Sequence, residues 1–226
     1  MPQLNVEARE ITLKLVYYGP ARSGKTTNLK KLHEMLAAEV RGGLVALDTQ
    51  DDRTLYFDFL PVEISARGDY RIKLKLFTVP GQVLHRGTRR VVLAGADAVA
   101  FIADSQRSAA AGNAYSYRDL QANLRTNGID ADRLPQVIQF NKRDLEDVKS
   151  IDEVRKAWDS SGIPAIPAVA TQGIGVIETL ESLLARLYRD LDQRHDFGRK
   201  FELDEQSFLD GIMSYFPDRT KPPAPL

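Results

Sequence analysis

The chain contains no cysteine. That excludes disulfides, a thiolate zinc site, a cysteine nucleophile, and prenyl or palmitoyl anchors. Neither sign of charge dominates. Thirty-one basic residues balance 31 acidic ones, so no bulk field draws the protein to nucleic acid or to an anionic bilayer. No apolar run approaches the roughly 18 residues that suggest a membrane-spanning helix. Glu7, Arg9 and Glu10 break up any signal-peptide core, and Met1-Pro2 is not the Met-Gly of a myristoylation site. Histidine is scarce, and His33, His85 and His195 show no metal-ligand spacing. No paired-carboxylate constellation stands out either. The expectation is a cytoplasmic protein without a direct membrane anchor or a nucleic-acid partner. Any membrane attachment would come through another protein.

What is present is an ordinary globular composition, 43% hydrophobic and 27% charged, over 226 residues. That length suits one well-packed domain with an appendage. Residues 19 to 26 read Gly19-Pro20-Ala21-Arg22-Ser23-Gly24-Lys25-Thr26, the G-x-x-x-x-G-K-[ST] pattern of a phosphate-binding loop. Each position has a physical task. Gly19 and Gly24 let the backbone curl, so that the N–H groups from Ala21 through Arg22, Ser23 and on to Thr27 converge on phosphate oxygens. Lys25 can bring positive charge to the outer phosphates, and the Thr26 hydroxyl can ligate Mg²⁺. An apolar strand pattern over 11–18 precedes the loop. A helical pattern follows it, with Leu29, Leu32, Leu36 and Val40 on one face. A helix N-terminus therefore faces the phosphates.

Arg41-Gly42-Gly43 ends that helix. Residues 55–64 read as an edge strand, with Pro61 inside it. A turn at 66–69 leads to a half-buried strand at 72–76, so the two form a hairpin. Beyond it, strands at 97–103, 136–140 and 164–170 alternate with helices at 113–126, 151–160 and 174–191. This rhythm predicts an α/β fold: a mostly parallel sheet with one antiparallel edge hairpin and helices on both faces. Ligands of such sheets bind at the carboxyl ends of the strands. The first domain is expected over 1–191. Residues 192–200 read as a polar linker, and the extension 192–226 carries a short amphipathic helix at 204–216, capped by Asp204, before a Pro-rich tail.

A phosphate loop alone does not distinguish ATP from GTP. Asn141-Lys142-Arg143-Asp144 follows the strand ending at Phe140, about 115 residues after Lys25. The Asp144 carboxylate can accept from the N1–H and the amine of guanine, a donor pair that adenine lacks. The Lys142 stem can cover the base, and Asn141 can brace the loop. Ala170 and Thr171 lie after the next strand, where a backbone N–H could meet the guanine O6. By itself Asn-Lys-x-Asp is more often a solvated turn, and its position at a strand end is what raises it.

With these residues in view, the chain resembles the Ras-like small GTPases, and among them the bacterial MglA family of polarity GTPases. The resemblance covers roughly residues 9 to 190. It rests on Gly24-Lys25-Thr26-Thr27-Asn28-Leu29, Asp52-Arg53-Thr54, Phe57-Asp58-Phe59-Leu60-Pro61, Thr78-Val79-Pro80-Gly81-Gln82, Ala103-Asp104-Ser105-Gln106 and Asn141-Lys142-Arg143-Asp144-Leu145. Thr78 replaces the aspartate of most Ras-like proteins, a departure typical of the MglA type. The resemblance implies a three-layer Ras-like fold with GTP or GDP and Mg²⁺ as ligands. Thr54 would join Thr26 at the metal, Gln82 would orient the attacking water, and Arg53 would act as an arginine finger from the same chain. Gly81 is assigned to the nucleotide site. On sequence alone, a solvated loop arginine is the stronger reading of Arg53, and Asp58 is as readily a solvent-facing strand residue as an outer metal contact.

The family also implies a slow intrinsic GTPase with a roadblock-domain activator and downstream polarity or motility effectors. Location would be cytoplasmic, with recruitment to a cell pole through partners. Ala21 departs from the family's usual glycine. Its methyl group is expected to crowd the γ-phosphate and Gln82, slowing hydrolysis. The alternative reading is a GTP-binding interaction module that hydrolyses little or nothing. A P-loop kinase or ATPase fits less well, because it conflicts with Asn141 to Asp144.

Overall fold

In the computed structural model, the short strand β1 (Gln3–Asn5) pairs antiparallel with β2 (Glu10–Tyr18), the central strand of the sheet. The structure describes residues 2–5, 7, 10–40, 44–49, 52–59, 71–81, 86–158 and 161–217. Over 44–49 and 52–59, and at 40, 86, 155 and 157, it describes the backbone alone. The alternation of β2 builds two cores. Ile11, Leu13, Leu15 and Tyr17 point to one face of the sheet, while Val16 and Tyr18 point to the other. All are buried, and each such aliphatic side chain contributes about 1.5–3 kcal/mol.

Next along the chain come α1 (Lys25–Met35), β3 (Leu44–Thr49), β4 (Asp52–Phe59), β5 (Arg71–Thr78), α2 (Arg86–Leu93) and β6 (Ala98–Asp104). They are followed by α3 (Ala110–Thr126), β7 (Gln136–Asn141), α4 (Ile151–Trp158), β8 (Ala165–Pro167), α5 (Val176–His195), α6 (Phe197–Phe201) and α7 (Glu205–Met213). The sheet order is β3-β4-β5-β2-β6-β7-β8. Strands β5, β2, β6, β7 and β8 run parallel, while β4 is antiparallel to both β5 and β3. The expected α/β sandwich is therefore observed: α1, α5, α6 and α7 cover one face and α2, α3 and α4 the other.

Three local differences have physical causes. The expected hairpin pairs β4 with β5, and β3 adds a further antiparallel strand outside it, pairing Leu44 through Thr49 with Phe57 through Asp52. The apolar run Leu44-Val45-Ala46-Leu47 finds backbone partners there rather than forming a loop. The expected strand at 164–170 shortens to β8. The polar run 192–200 is not a linker but the last turn of α5 followed by α6. Phe197 in that run is buried and packs edge-to-face on Tyr188 with centroids 5.9 Å apart.

Two helix starts follow capping rules. Asp204 caps α7 by accepting from the Ser207 N–H at 2.7 Å. Ser150 and Glu153 form a reciprocal box before α4: the Ser150 N–H donates to Glu153 at 2.7 Å, and the Glu153 N–H donates to the Ser150 hydroxyl at 3.1 Å. The α7 stripe of Phe208, Ile212 and Met213, with Phe216 after it, is buried in the same core as α5. Arg189 of α5 fastens the start of α7 through a two-pronged pair with Glu205.

Candidate nucleotide site

The phosphate loop spans the end of β2 and the start of α1, at the carboxyl edge of the parallel strands. Gly19 and Gly24 hold φ values of 147° and 104°, where a side chain is strained. Both sites are also sterically closed to one. A Cβ at Gly19 would lie 2.2 Å from the Ile102 carbonyl oxygen, and one at Gly24 would lie 2.0 Å from Nδ2 of Asn141. Arg22 also takes a left-handed φ of 61°, and both it and Ala21 are exposed. Gly24 is the N-cap of α1 and offers no side-chain cap, so the first-turn amides of that helix face the loop.

Lys25 is buried, 6% exposed. Its ammonium curls back across the loop, donating to the Gly19 carbonyl at 3.0 Å and the Pro20 carbonyl at 2.6 Å. Ser23 is fully buried, and its hydroxyl has no hydrogen-bond partner. What fits an anionic, oxygen-rich group is the loop itself, whose two glycines free its backbone amides to converge beside the Lys25 ammonium. Thr26 and Thr27 are half-buried on the first turn of α1. Thr26 is a hard oxygen donor, and Mg²⁺ is typically held by one or two protein oxygens beside phosphate and water. The residues present fit that ion. Among the described residues, no cluster of histidine and carboxylate side chains forms a separate metal site.

The second motif meets the first directly. Asn141, 3% exposed, donates from Nδ2 to the Ser23 carbonyl at 2.8 Å. Its Oδ1 accepts from the Ala170 N–H, also at 2.8 Å. One amide thus ties the phosphate loop to the segment carrying Ala170 and Thr171. The Arg143 N–H reinforces it by donating to the Ala168 carbonyl at 3.1 Å. Lys142 adopts φ 66°, and its ammonium pairs with Asp104 at the end of β6 at 2.7 Å. Asp144 and Thr171 are exposed at the rim, open to a ligand.

Residues 19 to 27, 141, 142, 144, 170 and 171 therefore gather around one edge of the sheet. Gly81 joins them: a Cβ on it would lie 2.4 Å from Ala21 Cα. Arg53 and Thr54 fall on β4, opposite Asp48 and Leu47 of β3. Their side chains lie outside the described residues, as does Gln82.

Two features behind the site were not legible in the motifs. Asn28 and Gln139 are fully buried and exchange amide hydrogen bonds at 2.8 Å. Gln139 also reaches the Thr179 hydroxyl at 2.8 Å, and Asn28 the Gly24 carbonyl at 3.0 Å. This network ties the loop's last glycine to β7 and α5. The available signal was a glutamine inside an apolar strand. The second feature is the Asp104 partner of Lys142, which lies in a quoted motif but gives no local sign of its role.

Over 191 residues the chain is 42% identical to the mutual gliding-motility protein MglA of Myxococcus xanthus, covering 84% of this chain and 98% of that protein. It is 24% identical over 202 residues to the Ypt/Rab-type GTPase ypt7 of Pyricularia oryzae, covering 86% and 90% of the two chains. No protein-family model matches it.

Proposed function

This chain belongs to the MglA family of Ras-like GTPases, and we propose that it is a GTP-hydrolysing switch that controls cell polarity or surface motility through partners bound in one nucleotide state. The observation that best supports this reading is the Asn141 brace. It joins a phosphate cradle to a guanine-type base segment through two buried 2.8 Å hydrogen bonds.

In this reading the amides of Ala21, Arg22, Ser23, Gly24, Lys25, Thr26 and Thr27, together with Gly19, cradle the phosphates, and Gly81 approaches the outermost one. Lys25 exchanges its hold on the Gly19 and Pro20 carbonyls for phosphate oxygens. Asp144 reads the guanine edge, Lys142 covers the ring, and the Ala170–Thr171 backbone meets O6. Thr26 and Thr54 would hold Mg²⁺, which when bound supplies positive charge to the outer phosphate oxygens. Gln82 orients the attacking water, and Arg53 places a second cation on the developing charge. The partners are a roadblock-domain activator and polarity or motility effectors. We assign recruitment to a cell pole to those partners; no described helix is long and apolar enough to cross a membrane. We also assign residues 1–191 to the switch domain and 192–226 to a C-terminal extension.

Ala21 favours a second reading, a GTP-binding module that barely hydrolyses. Its backbone already touches Gly81, and its methyl group adds bulk where the third phosphate would enter. Single-turnover phosphate release from GTP separates the two readings. The switch reading expects slow release that Ala21→Gly accelerates. No release from either form, with GTP bound, favours the module.

A further inference from the structure

Arg89 of α2 is 4% exposed. Its Nε donates to Asp119 Oδ2 on α3 at 2.8 Å, and its Nη1 faces the Pro80 carbonyl at 3.4 Å. The same carboxylate oxygen accepts from the Tyr18 hydroxyl on β2 at 2.5 Å and from Asn123 Nδ2 at 3.0 Å. Asn123 also reaches the Tyr18 hydroxyl at 3.1 Å. Tyr18, Asp119 and Asn123 therefore form a rigid socket on β2 and α3, and a guanidinium from α2 fills it. Burial, reinforced by the Asp119 carboxylate, pushes the Tyr18 phenol far up, so it remains a donor at every working pH.

A buried ion pair is a poor source of net stability, because desolvation offsets its attraction. Its better-attested use is to fix one arrangement. Here the arrangement fixed is next to the phosphate loop. Pro80 precedes Gly81, and Gly81 lies so close to Ala21 that an added Cβ would sit 2.4 Å from its Cα and 2.5 Å from its N. A cavity of about 400 Å³ is bordered by Ala21 of the loop, Gly81 of the corner, and Arg89 and Asp119 of the ion pair, so the pair and the corner share one open space beside the loop.

We infer that Arg89 is a positioning residue: seated in the Tyr18–Asp119–Asn123 socket, it holds the Pro80–Gly81 corner against the phosphate loop, and so governs retention of a third phosphate but not of a diphosphate. This rests on the nucleotide-switch reading above. The contacts offered to a diphosphate, from Gly24 to Thr27 and from Asn141 to Asp144, do not involve the corner.

The test uses the full chain with Mg²⁺ and fluorescent GDP or a fluorescent, non-hydrolysable GTP analogue, and compares dissociation rates. Arg89→Met with Asp119→Asn removes both charges without stranding either. Arg89→Lys keeps the pair but lacks the planar fork that reaches Asp119 and Pro80 together. Both variants are expected to release the triphosphate analogue about tenfold faster, the scale of one charged hydrogen bond, with GDP release within about twofold of wild type. If the double variant does not fold, Arg89→Lys carries the test. The same acceleration for both nucleotides, or for neither, overturns the inference while leaving the switch reading intact. A wild-type protein that retains neither nucleotide overturns both.

Discussion

Replacing Asn141 by alanine removes both halves of the brace at once. The side chain is 3% exposed, and its partners Ser23 and Ala170 are 0% and 1% exposed. Each lost hydrogen bond contributes about 0.5–1.5 kcal/mol net, and a buried carbonyl or N–H left without a partner costs about 1–3 kcal/mol. Water entering a cavity at the protein edge recovers part of that, so the sum is about 2–4 kcal/mol. For a chain of this size, 1 kcal/mol corresponds to roughly 2–4 °C in Tm, giving an expected drop of about 5–15 °C. The assay is thermal unfolding of nucleotide-stripped protein, because bound ligand would add its own linkage. Asp144→Ala is the control. Asp144 is exposed and outside the brace, so its loss should move Tm by no more than about 2 °C while weakening guanine binding. A Tm for Asn141→Ala equal to that of Asp144→Ala would refute the structural role given to the brace.

Two further outcomes follow from the packing. Phe208 is fully buried against Tyr188, with centroids 5.4 Å apart, so Phe208→Ala should cost about 3–5 kcal/mol in denaturant unfolding; a loss under about 1 kcal/mol would mean that α7 does not dock on α5. Burial raises the Asp97 carboxyl above its ordinary value even though the Lys14 N–H donates to it at 2.8 Å. A raised native pKa favours the fold at low pH, and that contribution is lost as pH rises through it. Asp97→Asn should therefore raise Tm at pH 7 and give little gain near pH 4; an equal gain at both would contradict the assignment.

Local features of the site were legible because their physics is local. The two glycines and Lys25 spell the phosphate-loop pattern within eight residues, and the apolar run over 11–18 reads as a strand without reference to its partners. Asp204 announced its helix in the same way. What stayed hidden were contacts between residues far apart in the chain. Asn28 meets Gln139 and Arg89 meets Asp119 only because β2, β6 and β7 stack in parallel and bring distant helices together. No spacing rule encodes that. The extent of α5 and α6 was obscured by charge: Asp192, Arg194 and Asp196 read as linker, although Phe197 and Phe201 marked a buried face. The strand β3 was hidden because an edge strand depends on its partner for hydrogen bonds, not on a strong pattern of its own.

The central claim is guanine specificity in a cradle built from Lys25 and closed by Asn141, and competition binding tests it most directly. Fluorescent GDP bound to the purified chain in Mg²⁺ should be displaced by unlabelled GDP and GTP, with ATP weaker by at least about a hundredfold, since adenine offers Asp144 no N1–H and amine donor pair. Displacement by ATP at the same concentration as GTP would contradict the account.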